Sequence, residues 1–234
     1  MRRTPPNTPS PTRCSPPGPR RWNIAAAQYA GQHHSVDDHV EHHLRFIEEA
    51  ARQQCDLLVF PELSLTGPGT TTLPAPPGDR QLEPLLAAAQ FHRITVIAGL
   101  TLDLQGQRQK GLVLFTPYHD GILRYPQGNG ASLIPGEKQL TIIDTQSDSP
   151  NLDPQATLFT SCQAVGENRW RQSISMLQRF AHKYAIAVLM ANARSGSALW
   201  DEKGQLIVRA DKGELLLTGS LGRQGWQGDI IPLG

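Results

Sequence analysis

Glu62 stands in "VFPELSLTG" (59–67), where the apolar run "CDLLVF" ends on Pro61 and then on a carboxylate. A short apolar run after a helix-like segment reads as a buried strand whose C-terminal end delivers Glu62. Ligands of open α/β sheets gather outside the carboxyl ends of strands, so a carboxylate held there between Pro61 and the turn-forming Gly67 suits a general base. The alternative is a solvated loop glutamate, because glutamates mostly stay in water. The three cysteines, Cys14, Cys55 and Cys162, are far apart and include no C-x-x-C pair, which supports neither a disulfide framework nor a zinc knuckle. Five histidines fall between 33 and 43. His39 and His43 stand four apart on a predicted helix, a chelating spacing, but no third ligand follows and both read as part of an exposed face. His119-Asp120-Gly121 reads as a turn, and "GNGAS" (128–132) lacks the lysine and the strand-helix context of a phosphate loop.

The elements that must position Glu62 follow an α/β rhythm. "WNIAAAQYA" (22–30) reads as a buried strand, and 35–54 as an amphipathic helix capped by Ser35 with Asp38 three places on. Val36, Val40, Leu44, Ile47 and Ala51 lay an apolar stripe along that helix. Then come the Glu62 strand, a Pro/Gly-rich loop (67–79), a helix (80–93) and the strand "ITVIAGL" (94–100). "GLVLFTP" and "GILRYP" (111–126) read as hairpin arms around His119 and Asp120, and 140–144 as a further strand. After a polar loop (145–156), strand (157–165), helix (168–184) and buried strand (185–192) follow in turn. Lys203-Gly204 then marks a turn between the final strand-like runs. Trp170, Trp200 and Trp226 read as packing residues.

Composition bounds the function class. A chain of 234 residues with 38% hydrophobic content supports one domain, here 22–234. Residues 1–21 hold seven prolines, five arginines and no acid, so they read as a disordered tail, with a transit peptide or basic arm as the alternative. A net charge of +1 gives no electrostatic case for nucleic acid or an acidic membrane. No run approaches the roughly eighteen apolar residues of a membrane span, and the cysteine usage fits a reducing, cytoplasmic setting.

Taken in order, "IAAAQ" (24–28), "LLVFPELSLTG" (57–67), "ITVIAGL" (94–100), "DGILRY" (120–125), "PGE" (135–137), "VLMAN" (188–192) and "SALWDEKGQL" (197–206) resemble the nitrilase superfamily of carbon-nitrogen hydrolases. The resemblance implies a four-layer α-β-β-α sandwich, usually assembled as a homo-oligomer. It also implies hydrolysis of a non-peptide C–N bond in a small amide or nitrile, without metal or cofactor, by a Glu, Lys, Cys triad. A thiol needs a base or cation nearby to become a nucleophile at neutral pH, and the oxyanion needs a fixed positive partner. Glu62 matches the family's glutamate. Gln127 occupies the lysine position and supplies no charge, while Arg124 and Lys138 lie close by in sequence but off the motif.

The nucleophile has two alignments. In the first, "TLFTSC" ends on the nucleophile Cys162, 35 residues after Gln127, as suits the family's lysine-to-cysteine spacing. In the second, "LTIIDT" is the nucleophile strand with Ile142 in the cysteine's place, and Cys162 is a small core residue on the next strand. The second fits the helix and "MAN" strand downstream. Either way the chain is short by one strand-helix unit. Function then divides between an impaired hydrolase, with Glu62 as base and Cys162 as nucleophile, and a non-catalytic homologue that binds a small ligand or a protein partner.

Overall fold

The apolar runs pair into two sheets. In the computed structural model, which describes residues 22–29, 35–67, 72–127, 132–134, 141–143, 152–153, 155–193 and 196–233, the first half of the chain runs in order as β1 (Trp22–Gln28), α1 (Val36–Arg52), β2 (Leu57–Val59), α2 (Asp79–His92), β3 (Thr95–Leu104), β4 (Gln107–Phe115) and β5 (Leu123–Pro126). The second half runs β6 (Ser132–Leu133), β7 (Thr141–Ile143), β8 (Leu158–Gln163), α3 (Glu167–Tyr184), β9 (Ala187–Asn192), β10 (Ala198–Trp200), β11 (Leu206–Arg209), β12 (Leu215–Gly222) and β13 (Gly225–Pro232). The first sheet has seven strands in the order β13-β12-β1-β2-β3-β4-β5, and the second has six, β11-β10-β9-β8-β7-β6.

Three apolar clusters define the layers. Phe46, Ile47 and Ala50 of α1 and Leu82, Leu85 and Ala89 of α2 pack on one face of the first sheet, against Leu58, Val96, Ala98 and Val113. The opposite face, with Ile24, Ala26, Leu57, Val59 and Ile97, meets Leu158, Leu189, Ala191 and Leu199 of the second sheet. Leu177 and Ala181 of α3 then cover the outer face of that second sheet through Val188, Met190 and Trp200. Successive strand residues point to opposite faces, which is why β2 can serve two cores at once through Leu57, Leu58 and Val59. The result is the four-layer α-β-β-α sandwich that the motifs imply.

In the second sheet β7, β8 and β9 are successive parallel neighbours, with α3 crossing between β8 and β9. Among the described residues no helix crosses between β7 and β8. β3 and β4 form a hairpin through Gln105 and Gly106, longer than the strand read at 94–100. The stripe read on α1 is rotated in the fold: Val40 and Ile47 are buried, but His39, His42, His43 and Phe46 are buried beside them, while Val36, Leu44 and Ala51 are only partly covered. The N-terminal tail, Cys14, Lys138 and most of the 145–156 loop lie outside the described residues.

Candidate functional site

Glu62 owes its place to a turn clamped from below and behind. β2 lies between β1 and β3 in parallel register, and the Phe60 amide makes the last ladder bond, 2.8 Å to the Ile97 carbonyl. The chain then turns with Leu63 at φ 53° and Gly67 at φ 73°, closed by a 2.7 Å bond from the Gly67 amide to the Leu63 carbonyl. The Leu65 amide donates across to the Gly99 carbonyl at 3.0 Å. Behind the turn stand the buried histidines of α1, which corrects the exposed face expected for His39 and His43: they are 2% and 0% exposed. The Tyr29 hydroxyl donates to the Ser64 carbonyl at 2.9 Å and accepts from Nδ1 of His39. Nδ1 of His43 donates to the His39 carbonyl at 2.7 Å, and its Nε2 accepts from the Ser64 hydroxyl at 3.0 Å. Polar groups are tolerated in this core because each of these finds a partner. Among the described residues no group of three or more His, Cys, Asp or Glu side chains is arranged to hold a metal.

The Glu62 carboxylate meets a cation that the motif comparison does not point to. Nζ of Lys110 lies 2.7 Å from Oε1 of Glu62, the glutamate side chain being 11% exposed and the lysine 44%. Lys110 sits on β4, and the register pairs its neighbour Gly111 with Pro126 of β5, so Lys110 stands directly opposite Gln127. The Gln127 amide donates to the Lys110 carbonyl at 3.0 Å, continuing the ladder. The charge that the motif resemblance would place at position 127 is therefore supplied from one strand away. Arg124 is engaged elsewhere, bonded to Asp79 of α2.

A cavity of about 340 Å³ opens over this pair, lined by Glu62 and Lys110 together with Gln163, Val165, Arg169 and Met176. Cys162 does not line it. The Cys162 side chain is 3% exposed and packs between the sheets, opposite Ala191 of β9, whereas the next residue, Gln163, reaches the cavity and accepts a long 3.4 Å bond from the Glu62 amide. Cys55 lies before β2, at the end of that strand away from Glu62. Burial, reinforced by the charges of Asp56 and Glu49, pushes its thiol up to about 12, so it remains protonated.

Two further motif residues hold the site's frame. Gln28, at the end of β1, accepts from the Ser197 amide at 2.7 Å and donates to the Gly213 carbonyl at 3.1 Å, which ties the two sheets together. Asn192 closes β9 by accepting from the Val165 amide at 2.8 Å and donating to the Val165 carbonyl at 3.2 Å. Val165 lines the cavity, so Asn192 anchors the β8–α3 connection to the end of β9. Asn192→Ala strands both backbone groups in a buried setting and is expected to cost about 2–4 kcal/mol, two groups at roughly 1–2 kcal/mol each, read as a lower melting temperature.

The carbon-nitrogen hydrolase family profile matches residues 23–147, just over half of the chain, from β1 through the end of β7. This chain belongs to the carbon-nitrogen hydrolase family. Solved structures agree on the fold. A double mutant of the amidase from Nesterenkonia sp. AN1 in complex with acrylamide superposes with a TM-score of 0.73 at 16% identity, over 90% of this chain and 94% of that one. A CN-hydrolase superfamily protein from Xanthomonas campestris, with an arsenic adduct in its active site, gives 0.71 at 14% identity over 88% and 92%. The glutamine-dependent NAD+ synthetase from Acinetobacter baumannii gives 0.69 at 14% identity, covering 89% of this chain and 47% of the longer synthetase. At such identities the likeness is one of fold. No helix among the described residues of this carbon-nitrogen hydrolase family member is long and apolar enough to cross a membrane.

Proposed function

We propose that this carbon-nitrogen hydrolase-like protein binds a small amide in the Glu62–Lys110 cavity and does not turn it over efficiently. The observation that carries this reading is the 2.7 Å carboxylate–ammonium pair at a cavity lined, among the described residues, by no cysteine. A carboxylate accepts from an amide N–H₂ and an ammonium donates to its carbonyl, so the pair is complementary to a C(=O)–NH₂ group in both hydrogen-bond senses. Nucleophilic attack needs a thiolate in reach of the carbonyl carbon, and Cys162 faces the intersheet core instead. The sheet order supports the alignment that puts β7 in the nucleophile strand's place, since β8 is the strand that leads into the long helix α3. In this reading Glu62 acts as hydrogen-bond acceptor, Lys110 supplies the cation, and Gln127 holds the strand ladder beneath it.

The test measures ammonia release from a panel of small amides and nitriles by the wild-type chain, Glu62→Gln and Cys162→Ala, alongside calorimetric binding of the same compounds. The expected result is amide binding that Glu62→Gln abolishes, with no ammonia above background from folded protein. Ammonia release that disappears in Cys162→Ala would overturn the non-hydrolytic reading and make Cys162 the nucleophile.

A further inference from the structure

The end of the first sheet away from Glu62 holds a second cavity, of about 320 Å³. Strand register sets its floor. On the helix-facing side of β1, β12 and β13 the side chains fall in cross-strand rows. Ala27, Leu216 and Ile231 form an apolar row that belongs to the core beneath α1. The next two rows on that face turn polar: Ala25, Thr218 and Asp229, then Asn23, Ser220 and Gln227. Neighbouring strands stand about 5 Å apart and such rows about 7 Å apart, so the five polar side chains share a patch of small-molecule size. All five line the cavity, and Gln53 and Cys55 join them from the end of α1. Three donors of this lining are turned toward the protein. Nδ2 of Asn23 donates to the Gln54 carbonyl at 3.0 Å, Nε2 of Gln53 to Glu49 at 2.9 Å, and the Thr218 hydroxyl to the Asp229 carbonyl at 3.4 Å. Oδ1 of Asn23, Oε1 of Gln53 and the lone pairs of Thr218 are then left without a donor among the described residues. Asp229 is the one charged side chain of the described lining; its Oδ1 accepts from the Ile230 amide at 2.8 Å, which leaves Oδ2.

We propose that this cavity is a second binding site, separate from the Glu62–Lys110 cavity, for a small organic cation rich in N–H groups, a guanidinium above all. A guanidinium brings five N–H donors and no acceptor, which complements a lining whose uncommitted atoms are mostly acceptors, and its charge meets the Asp229 carboxylate. Ser220 and Gln227 bond in either sense and adapt to the same ligand. A carboxylate or phosphate would find no cation in the described lining. The field around the cavity has the same sign: burial raises the Cys55 thiol, and the charges of Asp56 and Glu49 raise it further. Surroundings that disfavour a thiolate favour a cation.

The test titrates methylguanidinium into the isotope-labelled full chain and follows the backbone amide resonances of 218–220 and 227–229. Tetramethylammonium, of equal charge and without an N–H, serves as the comparison. Saturable shifts at those amides are expected, with methylguanidinium binding about tenfold more tightly than tetramethylammonium. Asp229→Asn should weaken it about three- to tenfold, since the carboxylate is exposed and screened. Ser220→Lys, which sets an ammonium of the chain itself into the patch, should abolish the shifts, with melting curves showing that both variants fold. Arg20 and Arg21 precede β1 in sequence and carry the same guanidinium group. Tighter binding by Arg20→Gln/Arg21→Gln than by wild type would identify them as competing occupants of the site, and equal binding would assign it to a free ligand. The proposal is overturned by the absence of saturable shifts at these amides in both wild type and Arg20→Gln/Arg21→Gln, by equal binding of the two cations, or by methylguanidinium binding that Asp229→Asn leaves untouched. Because the readout sits at 218–229, none of these outcomes bears on the amide reading of the Glu62 cavity.

Discussion

Lys110→Met is expected to weaken amide binding by about 10- to 100-fold, the range set by losing one charge-assisted hydrogen bond together with the counter-charge of Glu62. The side chain is 44% exposed, so the fold should survive, and melting curves would show little change. The more telling variant exchanges two side chains. Lys110→Gln combined with Gln127→Lys moves the ammonium across the ladder to the position where the motif resemblance would put a lysine, because the two residues stand opposite one another at the β4–β5 ladder. Binding restored in the double variant, relative to Lys110→Gln alone, would show that the location of the charge in space matters and the strand that bears it does not. Undiminished binding by Lys110→Met would remove the pair from the site.

Gly99→Ala is the second large expected effect. A Cβ built on Gly99 would lie 2.3 Å from the Leu63 amide nitrogen, 2.7 Å from the Pro61 carbonyl oxygen and 2.8 Å from the Glu62 carbonyl carbon. All three are backbone atoms of the turn that carries the carboxylate, so no rotamer change relieves the clash. Either β3 or the turn must move. The expected cost is about 2–3 kcal/mol, which for a chain of this length lowers the melting temperature by roughly 5–10 °C. Amide affinity should fall as well, because the displaced atoms are the Glu62 carbonyl carbon and backbone atoms of its two neighbours. An unchanged melt and unchanged affinity would mean that the close approach of strand and turn does not hold in solution.

Much of the architecture was legible because it rests on local signals. The run "CDLLVF" before Pro61, the Ser35 cap that accepts from the Asp38 amide, and the apolar segments 185–192 and 94–100 each announce their element without reference to distant residues. Glu62 was legible for the same reason, as the end point of a strand in a specific motif. Lys110 was not. It sits in "QRQKGLV", the polar half of a long strand, and its relation to Glu62, 48 residues away in sequence, depends on the β3–β4 and β4–β5 registers, which sequence alone leaves open. Arg169 was hidden likewise, as one of several basic residues on an amphipathic helix whose cavity-facing side is set by packing of Leu177 and Ala181. The burial of His39 and His43 ran against their polarity. Tyr29, Ser64 and the His39 carbonyl supply the partners that make burial affordable, and those pairings join β1, α1 and the Glu62 turn through contacts no spacing rule displays.

That same histidine–tyrosine cluster has a bearing on how the cavity moves. Ser64 is gripped twice from outside its own loop, at its carbonyl by Tyr29 and at its hydroxyl by His43, while Tyr29 is in turn held by His39. The turn and α1 therefore belong to one cooperative unit: local opening that releases α1 also frees Ser64, and with it the backbone turn that carries Glu62. Amide-proton exchange in 62–67 should then follow the slow opening of a whole helix, not the fast fraying usual for a surface loop. The ligand-binding wall is in this sense a buried polar joint, and its rigidity is inherited from the helix behind it.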